Sequence, residues 1–243
     1  MQKLIKLIKK IFRLKSESDF YFWISATLML LTNQLTYSGT RLINHGLFHH
    51  NMTIPLDARV PYTPWMIVFY FGCFLYWFIH YWIMSRLPRN DSDRFFCSNV
   101  MAKLICLLFF IFLPTTMSRP PITGDTPLSL IYRFLYWVDP ADNLFPSMHC
   151  IFSWLCWIGV RRRKDIPSWY RWMTLILGLG TCYMTLAIRQ HVLVDTISGV
   201  LLIEICYWYC GRSFLLRRYS EFMNNLMART MTWYHNLTDR VGG

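Results

Sequence analysis

Two short stretches carry side chains suited to covalent chemistry: "PSMHC" at residues 146–150 and "HVLVD" at residues 191–195. His191 and Asp195 are four apart, so on a helix they share a face one turn apart, and the carboxylate can accept the second N–H of the imidazole. Such a pair fixes the tautomer and makes the other ring nitrogen a better nucleophile or base. Ser147 stands between Pro146 and an apolar run, a good N-cap position. The helix it opens would direct free N–H groups and its positive dipole end at one surface, which is an anion site. His149 falls in the first turn of that helix, and Arg119 in "MSRPPITGD" offers a planar fork suited to phosphate oxygens. Taken singly, each has a bland explanation: a capping serine, an interfacial histidine, a solvated arginine. Their convergence beside a carboxylate in an apolar stretch is what points to chemistry.

The elements that must position these residues are apolar helices. The chain has 243 residues, 54% hydrophobic and 16% charged, and the apolar residues fall in blocks. The blocks run near Phe20–Tyr37, Trp65–Met84, Phe95–Met117, Met148–Val160, Trp169–Ile188 and Val192–Cys210, each close to the roughly 20 residues that cross a bilayer core. This predicts an all-α, polytopic membrane protein, a bundle of six transmembrane helices. The fourth block is the shortest, and the alternative is five spans with that block buried. The expected organisation is a cytoplasmic amphipathic segment over 1–19, a catalytic membrane domain over 20–212 and a cytoplasmic tail over 213–243.

A net charge of +12 could suggest a nucleic-acid partner, but the hydrophobic blocks exclude a soluble basic binder. Charge distribution argues for topology instead. With both termini cytoplasmic, 19 of the 25 Lys and Arg residues fall inside and five outside, with Lys103 left within a span. Ser147, His149, His191, Asp195 and Arg119 then all face the extracytoplasmic side. The opening "MQKLIKLIKKIFRLK" interrupts its apolar residues with lysine too often for a signal peptide and suits a helix lying on an anionic leaflet. Eight cysteines show no CxxC spacing and are expected to be free, buried thiols. Lys103 and Glu204 lie at matched depth in their spans, which suggests an ion pair.

The motifs resemble those of the type 2 phosphatidic acid phosphatase superfamily, membrane lipid phosphatases and phosphotransferases with six spans and no metal. Its middle motif Pro-Ser-Gly-His is matched by "PSMH" at 146–149, and its last, ending His-x-x-x-Asp, by 191–195. The resemblance covers roughly residues 60–212. It implies that His191 attacks phosphorus to form a phosphohistidine, that Asp195 orients it, that His149 protonates the leaving oxygen, and that Ser147 and Arg119 hold the phosphate. No cofactor is implied. The chain departs from the pattern at Phe112, where the family's first motif has lysine, at Thr185, where its last commonly has arginine, and at Met148 in place of glycine. Arg119, Arg189 or Arg133 must then meet the phosphate charge.

The expected function is therefore hydrolysis of a lipid phosphate or diphosphate at the outer leaflet. Transfer of a head group to an alcohol, as in inositol phosphorylceramide and sphingomyelin synthases, is the alternative within enzymes. A transporter or structural membrane protein, with His191 and Asp195 as a proton-linked or structural pair, is the alternative outside them. For a transporter, helix-breaking residues are expected in the middle of matched spans, and few are present. A metal site would need His45, His49 and His50 of the first outer loop and further ligands.

Overall fold

The computed structural model describes residues 16–44 and 46–242, with side chains described through residue 237. The amphipathic N-terminal expectation and His45 therefore lie outside the described residues, apart from the start of the first helix.

The fold is all-α. Helix α1 (Glu17–Gln34) opens on Ser16, whose hydroxyl accepts the Asp19 N–H while the Asp19 carboxylate accepts the Ser16 N–H. It continues through a π-helical turn (Leu35–Gly39) into α2 (Thr40–Asn44). There follow a short strand β1 (His50–Asn51), two 3-10 turns (Pro55–Arg59 and Pro64–Met66) and α3 (Ile67–Met84). The remaining elements are α4 (Arg89–Phe112), β2 (Thr115–Thr116), α5 (Pro127–Val138), α6 (Met148–Val160), α7 (Ser168–Ala187), α8 (Leu193–Cys210) and α9 (Phe214–Gly242). The six apolar blocks coincide with α1, α3, α4, α6, α7 and α8. Among the described residues, three helices are long and apolar enough to cross a membrane: Pro64–Met84, Arg89–Phe112 and Leu193–Cys210. The stretch expected as a tail is the helix α9, whose Tyr219, Met223 and Met227 are buried.

Helix α6 is the hub. It packs on α7 and α8 and also meets α3 and α4, and Cys150, Ile151, Leu155, Cys156 and Val160 are fully buried. At 13 residues it is only about 20 Å long, and its burial among longer helices accounts for its being apolar all round.

The loops at the other end of the bundle are tied down. β1 pairs in parallel with β2, joining the first loop to the end of α4. The Thr115 hydroxyl accepts the N–H groups of Leu144 and Phe145. Asn143 takes a left-handed conformation (φ 52°) that Asn tolerates, and its side chain bonds to Asn44 and Thr40 at 3.0 and 2.9 Å. Together these contacts fix where the chain enters α6.

The expected pair of Lys103 and Glu204 does not form. Lys103 donates to the Met29 carbonyl of α1 at 2.6 Å and lies over the Phe152 ring. Glu204 instead receives both guanidinium nitrogens of Arg161, at 2.6 and 2.8 Å, and the Trp154 indole N–H at 2.9 Å. Matched depth was insufficient, because the two residues face different neighbours around their helices. All eight cysteines are free, seven of them buried.

Candidate functional site

Ser147 caps α6: its hydroxyl accepts the Cys150 N–H at 3.4 Å, and the side chain is wholly buried. The Ser147 N–H in turn donates to the Asp195 carbonyl at 3.0 Å, which locks the start of α6 to the first turn of α8. Gly199, one turn further along α8, allows this approach, since a β-carbon there would stand 2.6 Å from the Ser147 carbonyl oxygen.

The segment before α8 is held equally firmly. The N–H groups of Gln190 and His191 both donate to the Thr185 carbonyl, at 2.9 and 3.1 Å. Asp57, buried in the first 3-10 turn, accepts the Leu193 N–H with one carboxylate oxygen and the Ile54 N–H with the other, each at 2.8 Å. An acceptor at the first turn of a helix complements its dipole. Asp195 accepts the Val192 N–H at 3.1 Å and faces Nδ1 of His191 at 3.4 Å with the same oxygen.

These constraints bring the two histidines together. Nδ1 of His149 lies 3.2 Å from Nε2 of His191. Nε2 of His149 lies 3.0 Å from the hydroxyl of Tyr70, which reaches Asp139 at 2.8 Å. Tyr37, carried on the π-helical turn, also donates to Asp139. The result is a continuous chain of contacts from Asp195 through His191, His149 and Tyr70 to Asp139. With both rings neutral and both carboxylates ionised, four protons serve five contacts. One further proton, placed on His149, satisfies all of them. Burial opposes the charged form of Asp139, but His149, the hydroxyls of Tyr37 and Tyr70, and Arg119 outweigh it and hold the carboxyl below its ordinary range.

A cavity of about 240 Å³ opens beside this chain. Its polar lining includes Tyr37, Tyr70, Asp139, His149, Gln190 and His191, and its apolar walls include Phe74, Trp77, Met148 and Phe152. Tyr37, Tyr70, Asp139 and Gln190 had no distinguishing signal in the sequence.

The expected cations are placed differently from one another. Arg119 lies nearest: it donates to the Asp139 carbonyl at 2.6 Å and to Oε1 of Gln190 at 2.7 Å, and stacks on Tyr136. Its Nε and the Gln190 Nε2 are buried donors with no partner among the described residues. Arg189, in a left-handed conformation (φ 59°), sends its guanidinium to the carbonyls of Asp57 and Val60. Arg133 is exposed and pairs with Asp125. None of the three, nor Ser147, lines the cavity. Of the residues that depart from the family pattern, Met148 lines the cavity, Phe112 is exposed, and Thr185 is buried with its carbonyl engaged as above.

Among the described residues, no group of three or more His, Cys, Asp or Glu side chains is arranged to hold a metal ion. In comparisons with known proteins, the chain matches no protein-family model, no curated protein and no solved structure.

Proposed function

We propose that the protein is a six-span membrane enzyme that cleaves a lipid phosphate ester or diphosphate at the outer leaflet through a phosphohistidine. The observation that carries this reading is the direct approach of His149 to His191 at 3.2 Å, with Asp195 behind one ring and Tyr70 and Asp139 behind the other. In the proposed reaction the substrate phosphoryl group takes the place of the bond between the rings. Nε2 of His191 attacks phosphorus, the bond from phosphorus to the leaving oxygen breaks, and that oxygen takes a proton from His149. Water then attacks the phosphohistidine, its proton passes to His149, and phosphate leaves. The unpartnered amide N–H of Gln190, which lines the cavity and is held by Arg119 through Oε1, supplies a hydrogen bond to a phosphoryl oxygen. This is the chemistry that the resemblance to the type 2 phosphatidic acid phosphatase superfamily implies.

The second reading, head-group transfer between lipids, is favoured by one feature: among the described residues no arginine or lysine lines the cavity, while Asp139 does. Such a lining suits the single charge of a phosphodiester better than the double charge of a monoester.

The deciding experiment is a trap for acid-labile phosphoenzyme, run on wild type and on His191→Ala and His149→Ala, with phosphatidate, an aryl phosphate and a phosphodiester lipid plus an alcohol acceptor. The proposal expects no turnover with His191→Ala on any substrate, and chelators without effect on wild type. His149→Ala should be nearly inactive on phosphatidate and retain much more activity on the aryl phosphate, whose leaving group needs no proton. Phosphoenzyme persisting in His191→Ala overturns the nucleophile; turnover of none of the substrates by wild type favours the non-enzymatic alternative.

A further inference from the structure

A second cavity, of about 710 Å³, lies at the end of the bundle away from the histidines, between the start of α4, the loop after α6 and the end of α8. Six basic side chains line it: Arg94, Arg161, Arg162, Arg163, Lys164 and Arg212. Three carboxylates, Asp91, Asp165 and Glu204, line it as well, which leaves a surplus of three positive charges.

The paired residues build the frame. Arg161 grips Glu204 with both nitrogens, and Arg163 bridges Asp91 and Asp165. Arg94 donates twice to the Tyr207 carbonyl, at 3.0 and 2.8 Å, and stacks on the Tyr207 ring. Arg162 and Lys164 are exposed, and among the described residues their side chains make neither a hydrogen bond nor an ion pair. Arg212 has no carboxylate partner among the described residues and lies over the Trp208 ring. A preference for basic residues on the cytoplasmic side accounts for the side these cations are on. It does not account for their convergence, from three segments of the chain, on one cavity.

The neighbouring surface says what kind of anion fits. Ile197, Leu201, Ile205 and Trp208 recur on one face of α8, each more than half exposed, and the stripe ends at the rim of the cavity. A soluble anion has no use for such a stripe, whereas an acyl chain does. We infer that this cavity binds the phosphate of an anionic phospholipid of the inner leaflet, with its acyl chains along α8 and its charge met by Arg162, Lys164 and Arg212. Basic pockets between membrane helices on the cytoplasmic side recognise lipid head groups through this combination of charge and apolar flank. The inference rests on the bundle lying in a membrane and is independent of the chemistry proposed at the opposite end.

The test is native mass spectrometry of the full chain released from mixed micelles of phosphatidylcholine and phosphatidylglycerol, in a His191→Ala background so that no lipid is turned over. The parent should retain phosphatidylglycerol over phosphatidylcholine. The doublet Arg162→Gln with Lys164→Gln should bind it roughly tenfold more weakly, and Arg162→Lys with Lys164→Arg should restore it. Equal retention by parent and doublet overturns the site. Displacement by inorganic phosphate or by glycerophosphoglycerol as effective as by the whole lipid makes it a free-anion site and overturns the lipid assignment. Loss of retention in His149→Ala but not in the doublet places the lipid in the outer cavity, and overturns the inference without touching the proposed activity.

Discussion

Gly199 and Ser147 meet so closely that helix α8 has no room for a β-carbon: it would stand 2.6 Å from the Ser147 carbonyl and 3.4 Å from the Cys150 β-carbon. The helix that carries His149 and the helix that follows His191 are thus held at a distance set by one absent methyl group. Gly199→Ala should destabilise by about 1–3 kcal/mol, the usual cost of overpacking, and should part His149 from His191. Gly180→Ala on α7, where a β-carbon meets nothing within 4 Å, should be neutral or stabilising by up to about 1 kcal/mol. Thermal unfolding in detergent compares them, and equal effects would count against the close approach.

Tyr70 links His149 to Asp139 and hydrogen-bonds to neither His191 nor Asp195. Tyr70→Phe should therefore act on the proton delivered to the leaving group. We expect a roughly tenfold loss on a lipid phosphate monoester and little loss on an aryl phosphate, within the range of general-acid effects. A uniform loss on both would make Tyr70 a structural residue only.

Asp139 gives a pH-dependent prediction of definite sign. Its folded carboxyl is held below the ordinary range, so its contribution to stability is complete above the unfolded value near about 4 and is lost as pH falls through the lower folded value. Asp139→Asn should lower the unfolding temperature near neutral pH, consistent with a cost of about 1–3 kcal/mol for unmatched buried partners. The gap from wild type should close below about pH 4. A gap that widens in acid would contradict the assignment.

The partner of Glu204 is settled by coupling energies. Arg161→Gln and Glu204→Gln should be non-additive by about 0.5–1 kcal/mol, as for a partly exposed bidentate pair. Lys103→Leu and Glu204→Gln share no partner and should add within about 0.5 kcal/mol.

Topology has its own check. In a background without native cysteines, an impermeant thiol reagent applied to intact cells should label a cysteine at Asp125 and spare one at Lys164. The reverse pattern would remove the outer-leaflet assignment while leaving the histidine geometry untouched.

Much of the site was legible because its key spacings are local. Asp195 follows His191 by four residues, although His191 stands just before α8 rather than on it, and Ser147 precedes an apolar run, so each contact could be read from a few residues. Tyr70 and Asp139 were not legible, since they reach His149 and each other across 79 and 69 residues. In sequence, Tyr70 is one aromatic among many in α3. The cations misled for a related reason. An arginine two residues from a histidine looks available to it, yet the left-handed backbone at Arg189 turns its side chain toward the Asp57 loop. Depth along a helix was readable for Lys103 and Glu204, whereas direction around the axis was not, because that is decided by the neighbours.

The shortness of α6 bears on how a lipid could arrive. A helix about 20 Å long cannot match a hydrocarbon layer about 30 Å thick. On the proposed placement, its His149 end sits below the surrounding interface by up to about 10 Å, less whatever the bilayer thins. A head group then descends into the protein rather than being lifted out of its leaflet. If the substrate is a lipid, as proposed, its acyl chains would stay in hydrocarbon throughout, and the transfer cost of exposing them to water would not enter the barrier.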